Sequence, residues 1–298
     1  AVLGGREAQI EVLWLGQPEC HDIAVVGAKA ANLSRFAASH TVPPGFCLPA
    51  TGGDWQERVS TSSPSLPPAL SARLAEAYRR LSGLCRTADV SVAVRSSALD
   101  EDGSAASFAG QHDTYLNVVG EESVVAAIAR CCASVNNVHA VEYRRRRGIS
   151  EDNVKIAVLV QQMVPADISA VVFGANPVTG NRDEVVVNAS WGLGESVVGG
   201  TVTPDSYVVR KQDATIISRS IGEKLRMTVP VPGGTSEVNV PRMLQTQPAA
   251  SDEQVAEMAR LAVELERTVG RPVDVECAYQ GRRLHLLQCR PVTTLGAH

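Results

Sequence analysis

Residues 92–117 read VAVRSSALDEDGSAASFAGQHDTYLN, and the chain is organised around them. Val90 to Val94, with Ser91 and Ala93 alternating, predicts a short strand that delivers Arg95, Ser96 and Ser97 at its end. Small and acidic residues follow from Leu99 to Ala109, broken by the single aromatic Phe108 and closed by Gly110. A segment of Gly, Ser and Ala beside a fixed arginine lets backbone N–H groups approach an anion, because no side chains stand in the way. Composition alone also fits a disordered surface loop. The arginine at the strand end favours a loop that covers phosphate.

At 298 residues the chain can form two domains sharing a cleft. Hydrophobic residues at 44% and charged residues at 20% are those of an ordinary globular protein. A formal charge of −4 offers no electrostatic case for nucleic acid as a partner, and Arg144 to Arg147 reads as a solvated helix end. No apolar stretch has membrane-spanning length and no signal-peptide pattern opens at Ala1, so no membrane partner is expected. The seven cysteines form no C-x-x-C pair, which points to buried free thiols in a reducing cytoplasm rather than a zinc site.

Going outward from the central stretch, Ile10 to Leu15 predicts a first strand, and Val25 to about Ser39 a helix. Gly27 and Ala28 leave room at that helix start, where unpaired N–H groups and the dipole favour an anion and Lys29 adds charge. The Walker A spacing is absent. Val42 to Phe46 turns into another strand, and Ser60 to Pro68 is a Ser- and Pro-rich connection. Helical spacing of apolar residues marks 69–84 and 121–135, and a further helix is expected over 137–147. Val154 to Val164 is a nearly continuous apolar strand ended by Pro165, followed by strands at 170–173 and 184–188. Ala189 to Gly200, rich in glycine, is either a ligand loop or a flexible one. A Ser251-Asp252-Glu253-Gln254 cap opens an amphipathic helix to Val269, and strands at 273–279 and 284–290 close the pattern. Interleaved strands and helices give an α/β (α+β) class in two lobes, 1–163 and 164–298, with the break where the long strand meets proline. Lys29, Arg95, the small-residue loop and the polar terminal hairpin together suggest a nucleoside triphosphate and a divalent cation.

Eight segments in order carry a resemblance: VGAKAANL (26–33), VPPGF (42–46), VRSSALDED (94–102), SFAGQHDT (107–114), ANPVTG (175–180), NASWGLGESVVGG (188–200), TPDSYVV (203–209) and VDVECAYQGRRLHLLQCRPVTT (273–294). As a set they closely resemble the nucleotide-binding domain of the pyruvate phosphate dikinase, phosphoenolpyruvate synthase and rifampin phosphotransferase family. The resemblance implies a two-lobed ATP-grasp fold with ATP in the cleft and Mg²⁺ as metal. It implies that Lys29 and Arg95 contact the phosphates and that Ser107, Phe108, Ala109, Gly110 and Gln111 close over them. Gln161, Gln162, Met163 and Val164 fall where the hinge strand meets adenine, through one backbone N–H and one C=O at a strand edge. Glu276 and Gln288 match the metal ligands, and Arg290 the arginine reaching the terminal phosphates. Lys29, Arg95 and Arg290 are thereby the expected catalytic residues.

Three positions depart from the family pattern: Val26-Gly27 for paired glycines, Gly174 for a threonine, and Cys277 for a tryptophan. A larger departure is that none of the six histidines lies in the family's phosphohistidine setting. The chain therefore resembles the ATP half alone, stand-alone or cut from a longer enzyme, working with separate phosphohistidine and acceptor domains or proteins. A direct kinase or ligase acting on a small acceptor, and a non-catalytic nucleotide-binding partner, are the alternatives.

The terminal hairpin poses a question of parity. Alternate residues of a strand share a face, so Glu276 and Gln288 can serve one cation only in a register that sets them opposite each other. A turn at Gly281, Arg282 and Arg283 achieves this and sets Asp274 across from Arg290. A turn at Tyr279, Gln280 and Gly281 would instead oppose Glu276 to Leu284. The first register is the one expected.

Overall fold

A computed structural model describes residues 11–50, 59, 64–99, 114–134 and 156–292. The chain divides into two units, Ala1–Ala38 with Pro44–Met163 and Ser39–Pro43 with Val164–His298. The loop Ser107–Gln111 and the helix expected over 137–147 lie outside the described residues.

The first unit contains β1 (Leu13–Trp14), α1 (Ile23–Phe36), β2 (Gly45–Leu48), α2 (Pro68–Leu84), β3 (Val92–Ala98), β4 (Thr114–Val118), α3 (Glu121–Ser134) and β5 (Ile156–Gln162). Its strands form one antiparallel sheet in the order β1-β2-β5-β3-β4. Val92, Val94, Ile156, Val158 and Val160 project from one face into a core with Leu74, Tyr78 and Leu81 of α2 and Val124 and Ile128 of α3. The 3.6-residue spacing of those apolar side chains is what makes the two helices and aims them at the sheet. Pro67 and Pro68 start α2, where a missing N–H costs nothing. α1 packs against β3 and β5.

One expectation is corrected here. β3 does not end before Arg95 but runs on through Ala98, with a continuous ladder to β5 from Val92↔Gln162 to Ala98↔Ile156. Every ladder bond satisfies a backbone group that would otherwise be buried unpaired. The small Ser96 and Ser97 side chains fit under the neighbouring elements, so pairing overrides their preference for loops.

The second unit contains β6 (Ile168–Phe173), β7 (Glu184–Trp191), α4 (Glu195–Val198), β8 (Asp205–Arg210), β9 (Ile216–Ser220), the hairpin β10 (Arg226–Val231) and β11 (Gly234–Asn239), α5 (Arg242–Gln245), α6 (Asp252–Val269), β12 (Val273–Gln280) and β13 (Arg283–Pro291). Six of these strands form an antiparallel sheet, β13-β12-β6-β7-β8-β9. α6 lies on it, burying Val255, Met258, Ala259, Ala262 and Leu265. The expected capping box is present: Ser251 accepts from the Gln254 N–H while the Gln254 side chain accepts from the Ser251 N–H. Gly270, at φ 80°, terminates the helix.

The glycine-rich stretch resolves into ordered pieces. Ala189 to Trp191 complete β7 and Glu195–Val198 form the single-turn α4. At Gly192 (φ 76°) an added Cβ would lie 2.5 Å from the Thr228 carbonyl oxygen, so this glycine is needed for close approach to β10. Six of the seven cysteines are buried and all are free. Burial pushes the Cys20 thiol up to about 11 and those of Cys132 and Cys277 up to about 12, which keeps them protonated and unreactive. Among the described residues no helix is long and apolar enough to cross a membrane.

Candidate functional site

In the first unit, α1 is interrupted at Gly27, whose φ of 73° and ψ of 166° no residue with a Cβ adopts readily. An added Cβ there would lie 2.3 Å from the Ser97 carbonyl oxygen. The helix restarts at once, and its Ala30 N–H donates to Ser97 Oγ at 3.3 Å. Ser97 thus anchors the new helix start that carries the half-buried Lys29. Arg95 sits two residues before Ser97 on β3 and so on the same face, about 6.6 Å along the strand. Its Nε is buried with no hydrogen-bond partner among the described residues. Lys29 and Arg95 are therefore delivered to one side of the sheet by a single device, the close contact of Gly27 with Ser97.

Gln161 lies opposite Ala93 of β3 and Gly45 of β2, so it shares that face with Arg95. The expectation of an open strand edge over Gln161 to Val164 does not hold. β5 is central, with β2 on one side and β3 on the other. The Gln162 N–H donates to the Pro44 carbonyl and the Met163 N–H to the Ser91 carbonyl, each at 2.9 Å. The Met163 sulfur accepts from the Asn117 N–H at 3.0 Å, which fixes the end of the strand. Of the four residues, only Val164 keeps an N–H with no partner among the described residues, because the ladder ends just before it.

The second unit resolves the parity question. Glu276 pairs with Gln288 and Asp274 with Arg290, the expected register. The turn that achieves it is different. Gln280 pairs with Arg283, leaving a two-residue turn of Gly281 and Arg282, with Gly281 at φ 59°. A two-residue turn alone would put Glu276 opposite Leu287. Instead the register shifts between Glu276 and Cys277, whose partners are Gln288 and Leu286, so Leu287 is an extra residue bulged out of the ladder. The bulge thus reconciles a favoured tight turn with the facing pair. The Gly281 N–H donates to Asp167 Oδ2 at 2.6 Å, pinning the turn.

Arg290 donates through Nε (2.8 Å) and Nη2 (2.6 Å) to one oxygen of Asp274. Such a charge-assisted fork holds the guanidinium in place on a half-exposed surface. The face carrying these residues is the one turned away from α6, since Val275, Val172, Val187 and Tyr207 on the opposite parity are fully buried. Following the register inward, Gln288, Glu276, Val171, Asn188 and Ser206 form one row across five strands. Asn188 and Ser206 had no assigned role from sequence. The signal was the parity of EVVVN (184–188), which sets Glu184, Val186 and Asn188 on one face.

The second unit thus holds a facing carboxylate and amide with a pinned arginine near them, and the first holds a lysine at a helix start and a half-buried arginine on the strand that the helix packs against. The particular family follows from comparison. Residues 56–298 match the model of the pyruvate phosphate dikinase, AMP/ATP-binding domain family, and the chain belongs to it. A rifampicin phosphotransferase of Streptomyces sviceus is 39% identical across 95% of this chain and 36% of its own length. Two probable phosphoenolpyruvate synthases are similar, from Methanocaldococcus jannaschii (35% identity, 95% of this chain, 27% of that one) and Pyrococcus abyssi (41%, 95% and 44%). The chain thus spans between about a quarter and under half of the length of these relatives.

Proposed function

We propose that the chain is an ATP-binding phosphotransferase component that cleaves ATP and passes a phosphoryl or pyrophosphoryl group to a histidine on a separate domain or protein, leaving AMP as the eventual nucleotide product. The observation that carries this reading is the Glu276–Gln288 pair. Two oxygen-donating side chains sit directly across from each other, next to an arginine held in place by Asp274. Family membership and the short span relative to phosphoenolpyruvate synthases and rifampicin phosphotransferase support the rest.

The donor chemistry fits Mg²⁺. Glu276 and Gln288 offer oxygen only, and among the described residues no group of three His, Cys, Asp or Glu side chains competes for a softer metal. When bound, the cation neutralises charge on the phosphate oxygens. Lys29 and Arg95 bind phosphate through charge-assisted hydrogen bonds and Arg290 binds the terminal phosphates. Val164 offers the N–H that reads the adenine. Catalysis by such groups is positioning and charge stabilisation.

Incubating the chain with ATP, Mg²⁺ and a phosphohistidine domain from a relative, then identifying the nucleotide, tests the reading. AMP supports it, ADP shows direct transfer to an acceptor instead, and no turnover together with no ATP binding refutes it. Lys29→Ala and Arg95→Ala should each weaken ATP binding by about 1.5–3 kcal/mol with the fold intact.

A further inference from the structure

The loop that joins β6 to β7, ANPVTGNRD (175–183), has no part in the proposed nucleotide and cation sites. It is held in shape by its own polar groups. Asn176 is buried, and its Oδ1 accepts from the Val178 N–H at 3.0 Å and the Thr179 N–H at 3.2 Å. The Gly180 N–H donates to the Asn176 carbonyl at 2.8 Å, and the Asn176 N–H to the Asn181 carbonyl at 2.9 Å. Thr179 Oγ1 accepts from the Asn181 N–H, and Asn181 Oδ1 from the Asp183 N–H. All this order surrounds a tip side chain, Val178, that is 78% exposed.

Single exposed apolar side chains are common on protein surfaces and mean little alone. Here exposure is combined with order. Fixing one residue's backbone costs about 1–2 kcal/mol, and in this loop the fixed backbone holds an apolar side chain out in water. Such a tip suits docking, because a loop already in its bound shape has little left to lose when a partner arrives.

Its place in the sheet says which partner. Phe173, the last residue of β6, lies in one row with Asp274, Arg290 and Val186. The loop leaves the sheet at that end. Asn176 Nδ2 donates to Glu184 Oε2 at 2.8 Å, and Glu184 shares with Val186 the face turned away from α6. The loop is thus tied to the face and the end where Arg290 is proposed to hold the terminal phosphates. Two strand spacings of about 5 Å and three residues of about 3.3 Å beyond Phe173 set the tip about 14 Å from Arg290. One side of a standard interface covers about 800 Å², a disc of about 16 Å radius. A domain centred on the terminal phosphates therefore reaches Val178. We infer that Val178 and the loop around it are the docking point for the domain or protein that presents the phosphate-accepting histidine. This rests on the proposed transfer to a histidine and adds the surface of this chain that receives the acceptor.

The test follows AMP formation from ATP and Mg²⁺ while a phosphohistidine domain from a relative, supplied separately, is titrated. Val178→Asp should raise the KM for that domain about tenfold or more, the loss expected when a central interface contact is removed. Its kcat at saturating domain, its ATP affinity and its melting temperature should match the parent's. Val178→Ala should give a smaller rise in KM. Met243→Asp is the control. Met243 is also 78% exposed, but it lies on α5, whose Leu244 carbonyl accepts from Trp191 Nε1 at the opposite end of β7 from Glu184. A parental KM in Val178→Asp, or an equal rise in Met243→Asp, overturns the inference and leaves transfer to a histidine standing. Lost ATP affinity or a lowered melting temperature in Val178→Asp also overturns it, since the loop would then act through the fold. If the parent forms no AMP at any concentration of the domain, histidine transfer and the docking point fall together.

Discussion

Gly27→Ala is the substitution on which the geometry of the phosphate-binding elements can be tested most sharply. The residue sits at φ 73°, ψ 166°, a region open essentially to glycine, and forcing an alanine into it costs about 1–3 kcal/mol. The added Cβ would also lie 2.3 Å from Ser97 O and 2.4 Å from Ser97 Oγ. Relieving that overlap means moving α1 off β3, and overpacking of this kind costs about another 1–3 kcal/mol. The total, about 2–6 kcal/mol, is a large share of the roughly 5–15 kcal/mol that holds a domain folded. Gly270→Ala is the matched control, because Gly270 is also left-handed (φ 80°) yet has open space around its Cβ position. It should lose only about 1–2 kcal/mol. Urea unfolding of both variants with an unchanged m-value measures the difference directly. Since the Ser97 contact also sets Lys29 and Arg95 on one face, ATP binding should fall in Gly27→Ala and hold in Gly270→Ala. If Gly27→Ala proves no more costly than Gly270→Ala, the close contact between α1 and β3 is wrong and the placement of Lys29 fails with it.

Lys224 and Asp205 form an ion pair with both side chains fully buried, so Lys224→Met should cost about 3–5 kcal/mol in urea unfolding by leaving Asp205 charged and unpaired. A loss below about 1 kcal/mol would show that Asp205 is reached by water. Burial, with Arg283 adding to it, holds the His285 imidazole below its ordinary value of 6.5. The unfolded chain then takes up the proton first as pH falls, so His285 contributes stability above about pH 6.5 that is lost as pH drops toward the folded-state value. His285→Phe should flatten the stability profile between about pH 7.5 and about pH 5.5, and an unchanged slope would count against a buried neutral imidazole. Deleting Leu287 removes the bulge and, with the Gly281-Arg282 turn kept, leaves a regular ladder in which Glu276 still faces Gln288 and Asp274 still faces Arg290. Nucleotide binding measured by calorimetry should then stay close to the parent's, and its loss beside an unchanged fold would count against Leu287 being the extra residue of the ladder.

Much of the architecture was legible in the chain because it depends on local periodicity. Apolar residues at helical spacing marked α2 and α3, and Ser251 with Gln254 announced the cap of α6, since a helix start needs acceptors for its own N–H groups wherever it packs. The pairing of Glu276 with Gln288 was also accessible, because side-chain parity allows few registers in which two given residues face each other.

How that register is reached was another matter. Turn preference favours two residues and parity forbids them, and only the bulge at Leu287, whose cost depends on what packs around β13, satisfies both. Arg95 lies inside a strand rather than after one because β5 supplies the partners for its backbone, and β5 comes more than 50 residues later in the chain. The same central position of β5 consumes the N–H groups of Gln162 and Met163 that looked available for adenine. Asn188 was visible as one polar residue in a valine-rich strand, but its row with Glu276 and Gln288 is created by pairing across β6 and β12. Local sequence determines which groups a segment needs to satisfy. Which distant segment satisfies them, and what is left over for a ligand, is decided only when the sheets assemble.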